Sequence, residues 1–288
     1  MKRYPMQAKI DKVKTLLDAL PFIKSFNNEI VVIKYGGSAQ TDPKLIESFA
    51  QDVLLMYLVG IKPVVVHGGG KKITDMLDRL NIETEFIDGQ RVTTPEVMRI
   101  VEMILSGEIN SSIVSLLNAH NAKAIGISGK DAHFIKAEPK EHAKWGLTGT
   151  ITEVKADVIC NLIREKFIPV IAPIAAGEEM GHPGYNINAD LAASNVAKAI
   201  GANKVIFLTD TPGVLNNDKK LLSTLSEKEV EVLKKDGTIN GGMVPKVDAC
   251  LEAITGGVNK AHIIDGRVEH SILLELFTSE GIGTQITL

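Results

Sequence analysis

Short, almost wholly apolar runs recur along this chain: EIVVIKY at 29–35, IKPVVVH at 61–67, AKAIGIS at 122–128, IPVIAPI at 168–174, KVIFLTD at 204–210 and KAHIIDG at 260–266. A strand with one wet face alternates apolar and polar residues; these do not, so both of their faces must be covered. Between them lie segments with helical character at 43–60, 71–80, 95–120 (with Gly107 inside), 156–167, 189–200, 226–235, 243–255 and 269–277, and the chain closes on GTQITL. Strands alternating with helices build βαβ units. The expected fold is α/β, an αβα sandwich around a central, mostly parallel sheet. One hairpin interrupts the rhythm, HFIKAEP with GTITEVK, bracketing the loop around Trp145.

At 288 residues and 44% hydrophobic, the chain can bury a large core, and a net charge of −3 without a basic stripe argues against a nucleic-acid binder. Cys160 and Cys250 stand far apart and read as free thiols. No apolar run approaches the ~18 residues of a membrane span, and the basic N-terminus lacks the apolar stretch of a signal peptide. We therefore expect a cytoplasmic protein without a membrane partner. Ahead of the first strand, Ile10, Val13, Leu16, Leu17 and Leu20 form an apolar stripe at helical spacing. That helix either lies on its own domain or is an arm exchanged between subunits. The expected division is 1–28 as an oligomerisation helix, 29–180 as an N-terminal lobe and 181–288 as a C-terminal lobe, with the glycine-rich stretch 175–186 at the boundary.

Two strand ends share one design. VVIKYGGS and VVVHGGGKKI both run from a buried strand into consecutive glycines and on towards a helix. Ligands collect outside the carboxyl ends of such strands, where glycine amides and a helix N-terminus favour an anion. Neither segment matches GxGxxG or GxxxxGK[ST]. Lys34 ends the first strand, either snorkelling to water or facing the anion. Lys246, in GTINGGMVPKVDA, falls near a helix start, where the macrodipole disfavours a cation unless an anion is close. Asn186 and Asn188 share a face of an extended segment. Asp190 follows them into a helix, either capping it or holding the two ammonium groups in register. Asp210 ends a strand in a turn, and Arg91 suits a bidentate carboxylate. No metal-ligand spacing and no nucleophile–histidine order stands out.

Two lysines with an aspartate between them in sequence, glycine turns at strand ends and no nucleophile make a site for neutralising negative charge. Phosphoryl transfer needs that, and a carboxylate acceptor, already ionised, needs no general base.

The set VVIKYGGSA, VVVHGGGKKI, GQRVT, YNINADLAAS, FLTDTPGVL and GTINGGMVPKVDA, in this order, resembles the N-acetyl-L-glutamate kinases of the amino acid kinase superfamily from about residue 29 to the C-terminus. The resemblance implies ATP-dependent phosphorylation of the side-chain carboxylate of N-acetyl-L-glutamate in arginine biosynthesis. It assigns Lys34 and Lys246 to the transferring phosphoryl and Asp190 to orienting them. Gly36, Gly37, Gly69 and Gly70 would offer amides, Arg91 would pair with the α-carboxylate, and Asn186 and Asn188 would hold substrate polar groups. Asp210, Gly213, Leu215, Gly241, Gly242 and Met243 would line the nucleotide, with Mg²⁺ arriving on ATP. Lys71 stands where the resemblance leads one to expect proline, and Ser38 where asparagine is common. The N-terminal helix and the C-terminal segment resemble the arginine-inhibited members, which implies a homodimer or a hexamer (a trimer of dimers) and L-arginine as inhibitor. His270, Glu280 and Gly283 are the candidate arginine site. N-acetyl-aminoadipate, one methylene longer, is the nearest rival acceptor; a silent nucleotide- or arginine-sensing protein is the rival of another class.

Overall fold

In the computed structural model residues 6–87, 89–140 and 143–288 are described. Eight strands form one sheet: β1 Ile30–Tyr35, β2 Lys62–His67, β3 Ala124–Ser128, β4 Ile168–Ala172, β5 Lys204–Thr209, β6 Thr224–Ser226, β7 Lys260–Asp265 and β8 Thr284–Thr287. Their spatial order is β6-β8-β7-β5-β1-β2-β4-β3. Every neighbouring pair is parallel except β7 and β8. The expected αβα sandwich is therefore what the chain forms. The apolar runs are buried on both faces, as their lack of alternation requires: Val31, Ile33 and Tyr35 enter one core and Val32 the other.

The helices are α1 Met6–Phe26, α2 Pro43–Leu58, α3 Gly70–Arg79, α4 Pro95–Ala119, α5 Ala156–Arg164, α6 Ala189–Ala199, α7 Glu227–Lys235, α8 Val244–Thr255 and α9 Ser271–Phe277. Local chemistry sets their starts. Asp42 and Thr94 cap α2 and α4 just ahead of a proline, and Ser226 with Glu229 forms a capping box on α7. By length and composition α4 could cross a membrane. Here it is a core helix, with Val97, Met98, Val101, Leu105, Ile109, Ile113 and Leu117 all buried. Around Gly107 it loosens into a π-helical segment, Met103–Ile109, a feature frequent at functional sites.

Several elements differ from the sequence reading, among them β6, Thr224–Ser226, and a short pair, Ile174–Ala175 with Tyr185–Asn186, none of which was read as a strand pairing there. The last helix starts at Ser271, because His270 adopts a left-handed conformation at φ 57°. Met243 lies in a 3₁₀ turn ahead of α8 rather than in it. A short hairpin, Phe86–Ile87 with Gln90–Arg91, stands where no strand was read; the Asp-Gly pair at 88–89 was its sequence signal.

α1 buries none of its residues. Met6, Ile10, Val13, Leu16, Leu17 and Leu20 are exposed, Leu16 at 72%. The apolar stripe thus finds no cover among the described residues.

Candidate active site

β1 lies mid-sheet, paired with β2 on one side and β5 on the other. Chain direction reverses its spread there, and the crevice outside the carboxyl ends of the strands is the expected ligand site. A cleft of about 440 Å³ opens at that point. Lys34, Gly36, Gly37, Gly69, Gly70, Arg91, Asn186, Asn188, Asp190 and Asp210 all line it.

Strand periodicity puts Lys34 on the same face as Val32, the face that α6 covers. α6 begins at Ala189, so Asp190 sits in its first turn, where a carboxylate suits the helix dipole. α8 packs on α6: Ser194 Oγ donates across the seam to the Ala249 carbonyl at 2.7 Å, and Asn195 and Lys198 both donate to Glu252. That approach brings Lys246 from the first turn of α8 to the same carboxylate. Lys34 Nζ lies 3.0 Å from Asp190 Oδ1, and Lys246 Nζ donates to Oδ2 at 2.9 Å. Asp190 is 7% exposed. Burial alone would raise its pKa, but the two ammonium groups overcome this and push it down to about 2. Of this trio Lys34 and Asp190 line the cleft, and Lys246 stands behind them on the Asp190 carboxylate.

Capping falls to Asn188, not to Asp190: its side-chain carbonyl accepts from the amides of Asp190 and Leu191. Asn188 still lines the cleft. Asn186 donates to Thr93 Oγ1 at 3.1 Å, and Thr93 meets Thr148, which in turn donates to the Arg91 carbonyl at 2.6 Å.

Arg91 is buried, and its guanidinium donates to Thr84 Oγ1, Thr74 Oγ1 and the Gly70 carbonyl while lying 4.6 Å from the Phe86 ring centre. Burial works against its charge, and Asp78 supports it only at a distance. Among the described residues no carboxylate lies within 4 Å of it.

Asp210 does more than line the cleft. Its Oδ1 accepts from the Ser38 amide at 2.8 Å, tying the first glycine turn to the end of β5. Gly37 there has φ 68°, and a side chain on it would run into that carboxylate.

Ser38 and Lys71 line the cleft as well, whereas the residues singled out for the nucleotide beyond Asp210 and for arginine are not among its lining residues. Gly213 packs on Thr284, and Leu215 bridges to Leu221. Gly241 and Gly242 are exposed, and Met243 is half-buried. His270 is held by α2, its amide donating to Ser48 Oγ and its Nδ1 2.7 Å from Asp52. Glu280 is exposed, while the Gly283 amide donates to Glu275, whose other oxygen pairs with His262. His270 lines a small pocket with Ser48, Asp52 and Ser271, and neither Glu280 nor Gly283 is among the lining residues of that pocket. Missed from the sequence were Gln40, Asn110, Thr93 and Thr148, polar residues without a motif of their own.

Among the described residues no three His, Cys, Asp or Glu side chains converge on a metal position. Both cysteines are free.

A mostly parallel sandwich with a lysine–aspartate–lysine centre outside its strand ends is the arrangement of a phosphotransferase that works by charge neutralisation. The sequence profile of the Amino acid kinase family matches residues 29–265, and the chain belongs to that family. Within it, the relatives are acetylglutamate kinases. That of Sulfurimonas denitrificans is 76% identical over 283 residues, covering 98% of this chain and 100% of the relative. That of Nitratiruptor sp. is 71% identical over 281 residues, 98% and 99% of the two chains.

Solved structures show the same fold at lower identity. N-acetylglutamate synthase from Neisseria gonorrhoeae, complexed with coenzyme A and N-acetyl-glutamate, superposes with a TM-score of 0.84 at 23% identity over 96% of this chain and 63% of that one. The same synthase with coenzyme A and L-arginine gives 0.81 at 22% identity, over 96% and 65%. Carbamate kinase from Giardia lamblia bound to AMP-PNP gives 0.70 at 21%, over 90% and 98%.

Proposed function

We propose that the chain transfers the γ-phosphoryl group of ATP to the side-chain carboxylate of N-acetyl-L-glutamate, yielding N-acetyl-L-glutamyl 5-phosphate for arginine biosynthesis. The observation that carries this reading is the buried Asp190 carboxylate holding Lys34 and Lys246 at 3.0 and 2.9 Å beside the glycine turns. Charge accumulates on the moving phosphoryl group and its bridging oxygens, and two positioned ammonium groups neutralise it without reorganising water. The acceptor carboxylate attacks directly, so no residue need remove a proton. Arg91 takes the α-carboxylate, and Asn186 and Asn188 take the remaining polar groups. The 29–180 half then serves the acceptor and the 181–288 half the nucleotide, which lies towards Gly213, Leu215 and the 241–243 turn. A divalent ion arriving on the triphosphate needs few protein ligands.

Two finer points belong to the same reading. α1 pairs through its exposed stripe with α1 of a second copy, building dimers into a hexamer. L-arginine, found in the synthase of the same fold, inhibits by binding near α1 and the last turns of the chain, where α1 touches α9; His270, Glu280 and Gly283 remain its candidate contacts.

The test is a hydroxylamine trap for acyl phosphate with Mg-ATP and N-acetyl-L-glutamate, N-acetyl-aminoadipate, L-glutamate, L-aspartate or no acceptor. Hydroxamate with N-acetyl-L-glutamate alone supports the reading. Signal with the longer acceptor alone moves the substrate, and no signal with any acceptor removes the kinase reading.

A further inference from the structure

His67 ends β2 and is wholly buried, yet the transfer chemistry gives it nothing to do. Its Nε2 lies 3.1 Å from Asn110 Nδ2 and its Nδ1 3.1 Å from the Gly68 carbonyl. Asn110 Nδ2 also donates to the Val170 carbonyl at 2.9 Å. With the Asn110 amide donating, Nε2 must accept, so the ring proton sits on Nδ1 and is given to Gly68. Burial pushes the His67 pKa down to about 4, which keeps the ring neutral. A second donor converges on the same oxygen: Gln40 Nε2, from the 3₁₀ turn of the first glycine loop, bonds the Tyr35 carbonyl at 3.1 Å and reaches Gly68 at 3.4 Å.

The Gly68–Gly69 peptide is trans. In a planar trans unit the C=O and N–H point in opposite directions. Fixing the Gly68 oxygen inside the protein therefore turns the Gly69 amide outward, into the cleft that Gly69 lines. A flipped peptide would present its carbonyl oxygen to the bound anion instead. We propose that His67, oriented by Asn110 and seconded by Gln40, is a positioning residue that locks this peptide so that the Gly69 N–H donates to the anionic acceptor. The π-helical segment serves the same lock. It ends at Ile109, directly before Asn110, and its Leu105 and Ile109 press on Gly69 where no Cβ would fit. The inference rests on the reading of this cleft as the acceptor site.

The experiment compares acceptor and ATP kinetics of the full chain with those of His67→Asn, His67→Gln and Asn110→Leu. Asparagine can put its amide nitrogen near the Nδ1 position and keep the donor to Gly68; glutamine reaches the Nε2 position and loses it. Hydrogen bonds to charged groups carry about ten- to a hundredfold effects. His67→Gln and Asn110→Leu should raise the acceptor KM by about that factor with the ATP KM unchanged, and His67→Asn should recover most of the loss. Equal behaviour of the asparagine and glutamine variants, or parallel loss of both KM values, overturns the proposal. ¹⁵N NMR of the wild type reads the lock without turnover: a neutral Nδ1–H ring from pH 6 to 8 is expected, and an Nε2–H ring overturns it. N-acetyl-aminoadipate and L-aspartate run alongside. If only one of them is turned over, the acceptor assignment fails and the same KM comparison is made on that acceptor.

Discussion

Arg91 and Lys34 are both buried cations in one cleft, but their surroundings give them different work. Lys34 has an internal counter-ion in Asp190, so it is held in place before substrate arrives. Arg91 has hydroxyls, a carbonyl and an aromatic face around it, and in the proposed function the acceptor supplies its counter-ion. Arg91→Lys should therefore raise the acceptor KM at least tenfold, because a point charge cannot reproduce the guanidinium fork. The ATP KM should stay within about twofold, as steady-state kinetics with each substrate varied would show. Legibility at this scale followed strand ends and glycines. Lys34, Lys246, Asp190 and Arg91 were readable because a cation or carboxylate there asks for an explanation. Gln40, Asn110, Thr93 and Thr148 were not. Neutral hydrogen-bonding side chains acquire their role only from partners distant in sequence, as Asn110 does from His67 and Val170.

Helix α9 depends on α2 for its seating. Asp52, on α2, is 1% exposed and meets His270 Nδ1 at 2.7 Å, and the amides of Ile272 and Leu273 also turn to it. Burial raises its pKa from 3.8 to about 6, against the lowering effect of His270 and those amides. A carboxyl whose folded pKa is raised contributes stability that is full below the unfolded value and is lost as pH rises through the folded one. The wild type should thus lose about 2 kcal/mol relative to Asp52→Asn between pH 4 and pH 7, at about 1.36 kcal/mol per unit. Denaturant titrations at several pH values check this; parallel curves for the two proteins would contradict it. The elements themselves were largely legible, since continuous apolar runs and proline-flanked caps mark them locally. The left-handed His270 that shortens α9 was not, because its cause is the contact with Ser48 and Asp52 from a helix more than two hundred residues earlier.

The whole molecule joins two requirements: a charge centre assembled from both halves of the chain, and an N-terminal helix whose apolar stripe finds no cover among the described residues. Deleting residues 1–26 removes no cleft residue. The shortened chain should keep turnover while sedimenting as a smaller particle and losing arginine inhibition. A particle of unchanged size by analytical ultracentrifugation, still inhibited, would refute the role given to α1. The stripe was visible in the sequence; the second copy proposed to cover it was not, because a single chain records only one side of an interface. The centre itself is tested most directly by the turnover of Lys34→Ala at saturating Mg-ATP and N-acetyl-L-glutamate, with the melting temperature measured beside it. Removing one preorganised donor from a charge-stabilising site costs about 10²–10³ in kcat. The account predicts a fall of that size with both KM values within about threefold and the fold intact. A kcat within tenfold of the wild type in a folded variant would contradict the claim that Lys34 stabilises the phosphoryl group in transfer.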